Sequence, residues 1–90
     1  MANRRDLKKI INYATSQIFS ECVAVSLYSS KPAEEDVAAL LSAIVHMRND
    51  FIERVSHKEP GTTGKVYYQN LIDAFNRQVE EILEQINSLN

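Results

Sequence analysis

The segment Tyr67–Leu89, YYQNLIDAFNRQVEEILEQINSL, decides the fold that the sequence predicts. Its apolar residues recur at alternating gaps of four and three: Tyr68, Ile72, Phe75, Val79, Ile82, Ile86 and Leu89. This spacing places them along one side of a helix, because an α-helix repeats about every 3.6 residues. The segment is therefore predicted to be a long amphipathic helix, which we call the third helix, spanning about 63–89.

The chain before this segment carries two further helical patterns. The first, at about 4–29, has an apolar stripe made of Leu7, Ile11, Ala14, Ile18, Cys22 and Val25. The second, at about 33–57, has Val37, Leu40, Leu41, Ile44, Met47, Phe51 and Val55, and is widened by Val45 and Ile52. Pro32 separates the first two helices, and Pro60 with Gly61 separates the second from the third.

These patterns predict the fold class. The chain holds only two Gly and two Pro, which leaves few places for turns and favours few, long elements. Three helices joined by short loops pack as antiparallel neighbours. We therefore predict an all-α protein, with three long helices in an up-down-up antiparallel bundle and a single domain over residues 1–90.

Composition limits the partners. The net charge is −2, with 10 basic and 12 acidic residues interspersed along the chain, so neither nucleic acid nor anionic lipid is favoured. No apolar run approaches the roughly 20 residues that span a bilayer, and no signal peptide is predicted. The lone Cys22 excludes an internal disulfide framework. The expectation is a cytoplasmic protein without a membrane partner.

The first helix carries more apolar surface than one core face needs. Phe19, Val23 and Leu27 are spaced by four residues and project away from the predicted core stripe. A small monomer seldom leaves such a patch in water, so we expect a homo-oligomer, a C2 dimer in which these first-helix residues form the interface. Two alternatives stay open: the first helix is central and covered on both sides by the other two, or the patch docks on another protein.

One polar constellation is a candidate for chemistry. His46, Asp50, Glu53 and His57 follow one another at helical spacing on the second helix. These residue types could bind a metal ion or perform acid–base catalysis. They lie opposite the apolar stripe of the same helix, so the pattern favours a solvated polar face. We predict no catalytic residue, no metal site and no cofactor, with a metal-binding or acid–base enzyme as the alternative.

Other charged residues allow weaker hypotheses. Periodicity places Glu21 and Arg48 near the apolar faces of their helices, where they could pair with each other or reach the edge of the core. A basic cluster at the start of the first helix could contact phosphates: Arg4, Arg5, Lys8 and Lys9. Stacking aromatic residues are missing beside it, so a nucleic-acid accessory role is kept only as an alternative.

Several blocks carry a resemblance: 1–9 (MANRRDLKK), 20–24 (SECVA), 49–52 (NDFI) and 57–61 (HKEPG). Taken together, they resemble a family of small uncharacterised proteins from Bacteroides-type bacteria, and the likeness covers nearly the whole chain. The resemblance implies a bacterial cytoplasmic origin and transfers no activity, cofactor or catalytic residue. The function we expect is that of a small helical interaction or structural protein that self-associates and does not catalyse a reaction.

Overall fold

The computed structural model describes residues 4–28, 34–57 and 64–89. It contains three helices: α1 (Arg4–Tyr28), α2 (Glu34–Ser56) and α3 (Gly64–Asn87). No strand occurs within these three ranges, and the predicted all-α class is confirmed. Two observed helix ends differ slightly from the prediction, since α2 ends one residue earlier and α3 two residues earlier. The predicted boundaries at residues 29, 33 and 63 lie outside the described residues.

Hydrogen bonds at one end of the bundle fix the direction of the three helices. The Tyr68 hydroxyl accepts a hydrogen bond from Nε of Arg4 at 3.0 Å and donates to the carbonyl oxygen of Val55 at 3.3 Å. The neighbouring Tyr67 hydroxyl lies 2.9 Å from the Arg54 carbonyl oxygen and 3.1 Å from that of His57. The starts of α1 and α3 therefore lie beside the end of α2, as an up-down-up bundle requires. The tyrosines also satisfy carbonyl groups that the last turn of a helix leaves without an internal partner.

The three helices are not equivalent in their packing. The contact between α1 and α2 is the most extensive, that between α2 and α3 is smaller, and that between α1 and α3 is the smallest. The Cα atoms span 49 × 19 × 16 Å, so the bundle is a narrow rod. Because α2 contacts both neighbours most, it is the central helix. The alternative in which the first helix is central is therefore wrong.

The core runs along the rod where the three apolar stripes meet. Its buried apolar residues are Leu7, Ile11, Ile18, Cys22, Leu40, Ile44, Met47, Phe51, Val55, Leu71, Phe75, Ile82 and Ile86. At its centre Phe51 meets Phe75 edge to face, with 5.2 Å between ring centroids and 77° between ring planes. Aromatic pairs favour this arrangement because the positive ring edge meets the negative face.

On α3 the core line differs in part from the predicted seam. Phe75, Ile82 and Ile86 are buried as predicted, but Leu71 is buried and Ile72 is only half-buried. The predicted gaps of four and three average 3.5 residues, whereas a straight helix has about 3.6 residues per turn. Over the length of α3 this difference rotates the true core line toward Leu71.

On α1 the core contains a polar residue that the apolar stripe omitted. Thr15 is buried, and its hydroxyl donates to the carbonyl oxygen of Ile11 at 2.7 Å. The hydrogen bond satisfies the hydroxyl locally, so the methyl group of Thr15 can pack in the core without an unpaired polar atom. Thr15 lies one turn after Ile11 and almost one turn before Ile18, so helical spacing does place it on the core side.

Candidate interaction surface

A groove runs along the surface between α1 and α2, at the middle of the rod. We call it the α1–α2 groove, and its volume is about 510 Å³. It is lined by Asn12, Thr15, Ser16, Phe19, Ser20, Ile44, Val45 and Arg48. The described part of α3 contributes no lining residue, so this face of the bundle is formed by the first two helices.

Residue size explains the shape of the groove. Ser16 and Ser20 are small and lie one helical turn apart, so α1 is narrow along this line. The base of the groove includes Thr15 and Ile44, which are both buried. Its apolar rim consists of Phe19, which is 37% exposed, and Val45, which is 42% exposed. A second molecule could reach the apolar base without displacing a large side chain.

A hydrogen bond between the two helices lies at one end of the groove. Nε of Arg48 donates to Oδ1 of Asn12 at 2.6 Å, and Nη1 of Arg48 lies 3.4 Å from Oδ1 of the adjacent Asn49. Arg48 and Glu21 are both exposed, and Arg48 lines the groove beside the buried Ile44, at the edge of the core as one of the two predicted alternatives has it. The side chain of Arg48 reaches from α2 to Asn12 on α1. Its hydrogen bonds are to Asn12 and Asn49 rather than to Glu21. The guanidinium thus joins α1 to α2 and leaves the apolar rim open.

The three predicted interface residues lie along one line that begins at the groove. Phe19 lies at the rim, Val23 is half-buried one turn later, and Leu27 is 75% exposed near the end of α1. Val45 extends this surface onto α2, where the sequence indicated only a wider apolar arc. We call Phe19, Val23, Leu27 and Val45 the apolar patch. Its contribution from α2 could not be assigned from sequence, because the side-by-side alignment of two helices depends on how they pack.

Other large apolar side chains are exposed elsewhere. Ile10 is 55% exposed and Tyr13 is 69% exposed, and neither lines the groove. At about 100° per residue, Ile10 lies half a turn around α1 from Phe19. It therefore provides a matched residue on the same helix but outside the apolar patch.

The polar face of α2 is open, as its spacing predicted. His46, Asp50, Glu53 and His57 are all exposed, and Asp50 forms an ion pair with Arg54 at 3.0 Å. His46 and Asp50 line a shallow groove against α3, where the facing polar residue is Gln78. Within the described ranges, no three His, Cys, Asp or Glu side chains are grouped so that they could hold a metal ion. The metal or acid–base hypothesis stays a prediction without a gathered set of ligands.

Cys22 lies in the core rather than in a site. It is fully buried, and burial raises the pKa of its thiol because the low-dielectric interior disfavours the thiolate. A thiol is nucleophilic only as the thiolate. Cys22 therefore has the environment of a small apolar core residue.

The basic cluster lies at the end of the rod where α1 and α3 begin. Arg4 is held by Tyr68, while Arg5 and Lys9 are exposed and Lys8 is half-exposed. Lys65, in the first turn of α3, is exposed at the same end. Basic residues of two helices therefore lie at the same end of the bundle, and the nucleic-acid hypothesis stays a prediction.

Comparisons with protein-family models, curated proteins and solved structures find no match for this chain. None of the three helices, over the residues that are described, is apolar enough along its length to cross a membrane. The assignment of a function therefore depends on the surface geometry alone.

Proposed function

We propose that this chain is a small non-catalytic interaction or structural protein, and that it self-associates as a homodimer through the apolar patch and the α1–α2 groove. The observation that carries the proposal is the exposure of Phe19 and Val45, at 37% and 42%, on either side of one groove. An exposed apolar surface of this kind, rimmed by polar residues, is typical of protein interfaces. The bundle is only 19 × 16 Å across, and the described part of α3 lines no part of this groove. The described helices therefore leave the apolar surface uncovered.

The chemistry of the groove favours a protein partner. Its base is apolar, and the polar groups around it are uncharged hydroxyl and amide groups apart from Arg48. Protein interfaces are depleted in charged residues at their core and enriched in aromatic residues and arginine, and this groove contains Phe19 and Arg48. A second copy of the chain presents the same apolar surface, and a C2 interface uses the same residues on both subunits.

A cytoplasmic location in a bacterium is part of this proposal. Its support is the single buried thiol of Cys22 and the resemblance to proteins of Bacteroides-type bacteria. Docking on a different protein is the outcome to be considered if the chain stays monomeric.

Three glutamate variants test the surface. Val45→Glu and Val23→Glu each place a charge in the apolar patch. Because desolvating a charge at the centre of an interface is costly, we expect each variant to raise the dissociation constant of the dimer at least tenfold. Sedimentation equilibrium measures this constant. Ile10→Glu is the matched control, because Ile10 is exposed on the same helix outside the patch. It should leave the dimer unchanged. Equal effects of all three variants, or no effect of the first two, would contradict the proposed interface.

A further inference from the structure

The charges of this chain are interspersed along the sequence but unevenly distributed along the rod. At the end where α1 starts, four of the six residues 4–9 are basic. That end also carries Asp6 and Glu53, but basic residues outnumber the acidic ones there. At the other end, where α2 starts and α3 ends, the described residues carry a set of carboxylates: Glu34, Glu35, Asp36, Glu80, Glu81 and Glu84. The groove formed there by Asp36 and Leu40 with Gln85 and Leu89 confirms that these two helix ends adjoin. We call the two regions the basic end and the acidic end.

Both kinds of charge occur on the side of the bundle that carries the α1–α2 groove. Lys9 and Leu27 are 18 residues apart, which is five full turns, so Lys9 projects from the same side of α1 as Leu27. On α2, Glu34 lies 11 residues before Val45, which places the two within about 20° of each other around the helix. The proposed interface therefore has an apolar centre, a basic side at one end and an acidic side at the other.

The groove also lies at mid-length of the rod. Its α1 residues run from Asn12 to Ser20, and the midpoint of α1 is residue 16. A two-fold axis through the groove therefore keeps the full lengths of two copies side by side, whichever way they point. The charges decide between the two directions.

Resting on the proposed self-association, we infer that the two copies pack antiparallel, with the basic end of each against the acidic end of the other. The Asn12–Arg48 hydrogen bond places residue 34 at the level of residue 26 of α1. A two-fold axis beside residue 16 therefore brings Arg5 of one copy close to the level of Glu34 of the second copy, and the symmetry axis repeats this juxtaposition. In a parallel dimer, Arg5 and Lys9 would face their own equivalents, as would Glu34 and Glu35. Like charges brought together across an interface oppose association, and opposite charges favour one orientation.

Disulfide cross-linking of two single substitutions, Arg5→Cys and Leu27→Cys, measures the orientation. Both positions are exposed and lie within about 40° of each other around α1, about 33 Å apart along the helix. In an antiparallel dimer whose two-fold axis passes beside residue 16, residue 5 of one copy lies opposite residue 27 of the other. We expect oxidation of an equimolar mixture to give at least tenfold more cross-linked dimer than either variant alone. The native Cys22 is fully buried and does not compete in the folded protein.

The other possible results distinguish a wrong orientation from the absence of self-association. Efficient cross-linking of each variant with itself would show a parallel dimer, and would overturn the orientation while leaving self-association intact. Absence of cross-links between subunits that sedimentation shows to be dimeric would also overturn it. A wild-type chain that sediments as a monomer would remove the proposed function and this inference together.

A charge-swap series tests the cause of the orientation. Arg5→Glu with Lys9→Glu, and separately Glu34→Lys with Glu35→Lys, should each weaken the dimer roughly tenfold at low salt. All four substitutions in one chain restore opposite charges and should recover most of the lost affinity. Unchanged affinity in the two double variants would overturn the charge argument, and circular dichroism of each variant shows that α1 and α2 remain folded.

Discussion

Replacement of Phe51 by alanine should remove a large part of the folding free energy. Phe51 is fully buried, lies edge to face on Phe75, and has the guanidinium carbon of Arg54 4.8 Å from its ring centroid. Truncation of a buried phenylalanine to alanine typically costs about 3–5 kcal/mol, through lost transfer free energy and the cavity that remains. Because the ring has two specific partners in addition to its burial, we expect a loss of about 4 kcal/mol.

This loss is large relative to the whole protein. A domain of this length has a free energy of unfolding of roughly 5–13 kcal/mol. With a urea dependence of about 1.5 kcal/mol per molar, a 4 kcal/mol loss lowers the unfolding midpoint by roughly 2–3 M. Urea titration followed by circular dichroism measures this shift directly.

Phe19→Ala is the matched control, since it removes the same side chain from a position that is 37% exposed. At the lowest protein concentration that circular dichroism can read, it should cost less than about 1.5 kcal/mol, because part of its surface is already in water. Its effect should grow with protein concentration if Phe19 lies in a dimer interface. A loss below about 1.5 kcal/mol for Phe51→Ala, or equal losses for both variants, would refute the assignment of core and surface.

Thr15→Val keeps the buried shape and leaves no polar group unpaired, so the free energy of unfolding from the urea midpoint should change by less than about 1 kcal/mol. Thr15→Ser leaves a methyl-sized cavity and should lower that free energy by about 1 kcal/mol. Tyr68→Phe loses the bridge from Arg4 to α2 and should speed amide exchange in the first turn of α1, and the exposed Tyr13→Phe should not. A thiol reagent should label Cys22 only as urea unfolds the chain, and rapid labelling in native buffer would contradict its burial. Because burial raises the pKa of that thiol, its contribution to stability should fall as the pH rises past the ordinary thiol value of about 8.5.

Helical periodicity alone predicted the three helices, their order and most of the core. Periodicity did not predict the burial of two residues, Leu71 and Thr15. Leu71 and Ile72 are equally apolar, and the predicted repeat of 3.5 residues selected Ile72, whereas a straight helix of about 3.6 residues per turn buries Leu71. Thr15 looks polar in sequence, yet its hydroxyl bonds to its own helix and its methyl group joins the core.

The candidate surface was predictable only in the part that lies on one helix. Phe19, Val23 and Leu27 share a spacing that a sequence shows directly. The addition of Val45 depends on the register between α1 and α2, which the bond from Arg48 to Asn12 now places. The uneven distribution of charge along the rod was missed for the same reason, because residues far apart in sequence share an end only after the chain folds.

The central claim is that this chain associates with itself, and the molar mass in solution tests it most directly. Light scattering of the wild-type chain from low to tens of micromolar concentration should show the mass rising from that of one chain, 10.2 kDa, toward about twice that value. Val45→Glu should remain near the single-chain mass over the same range. A wild-type mass that stays at one chain throughout, unchanged by Val45→Glu, would contradict the account.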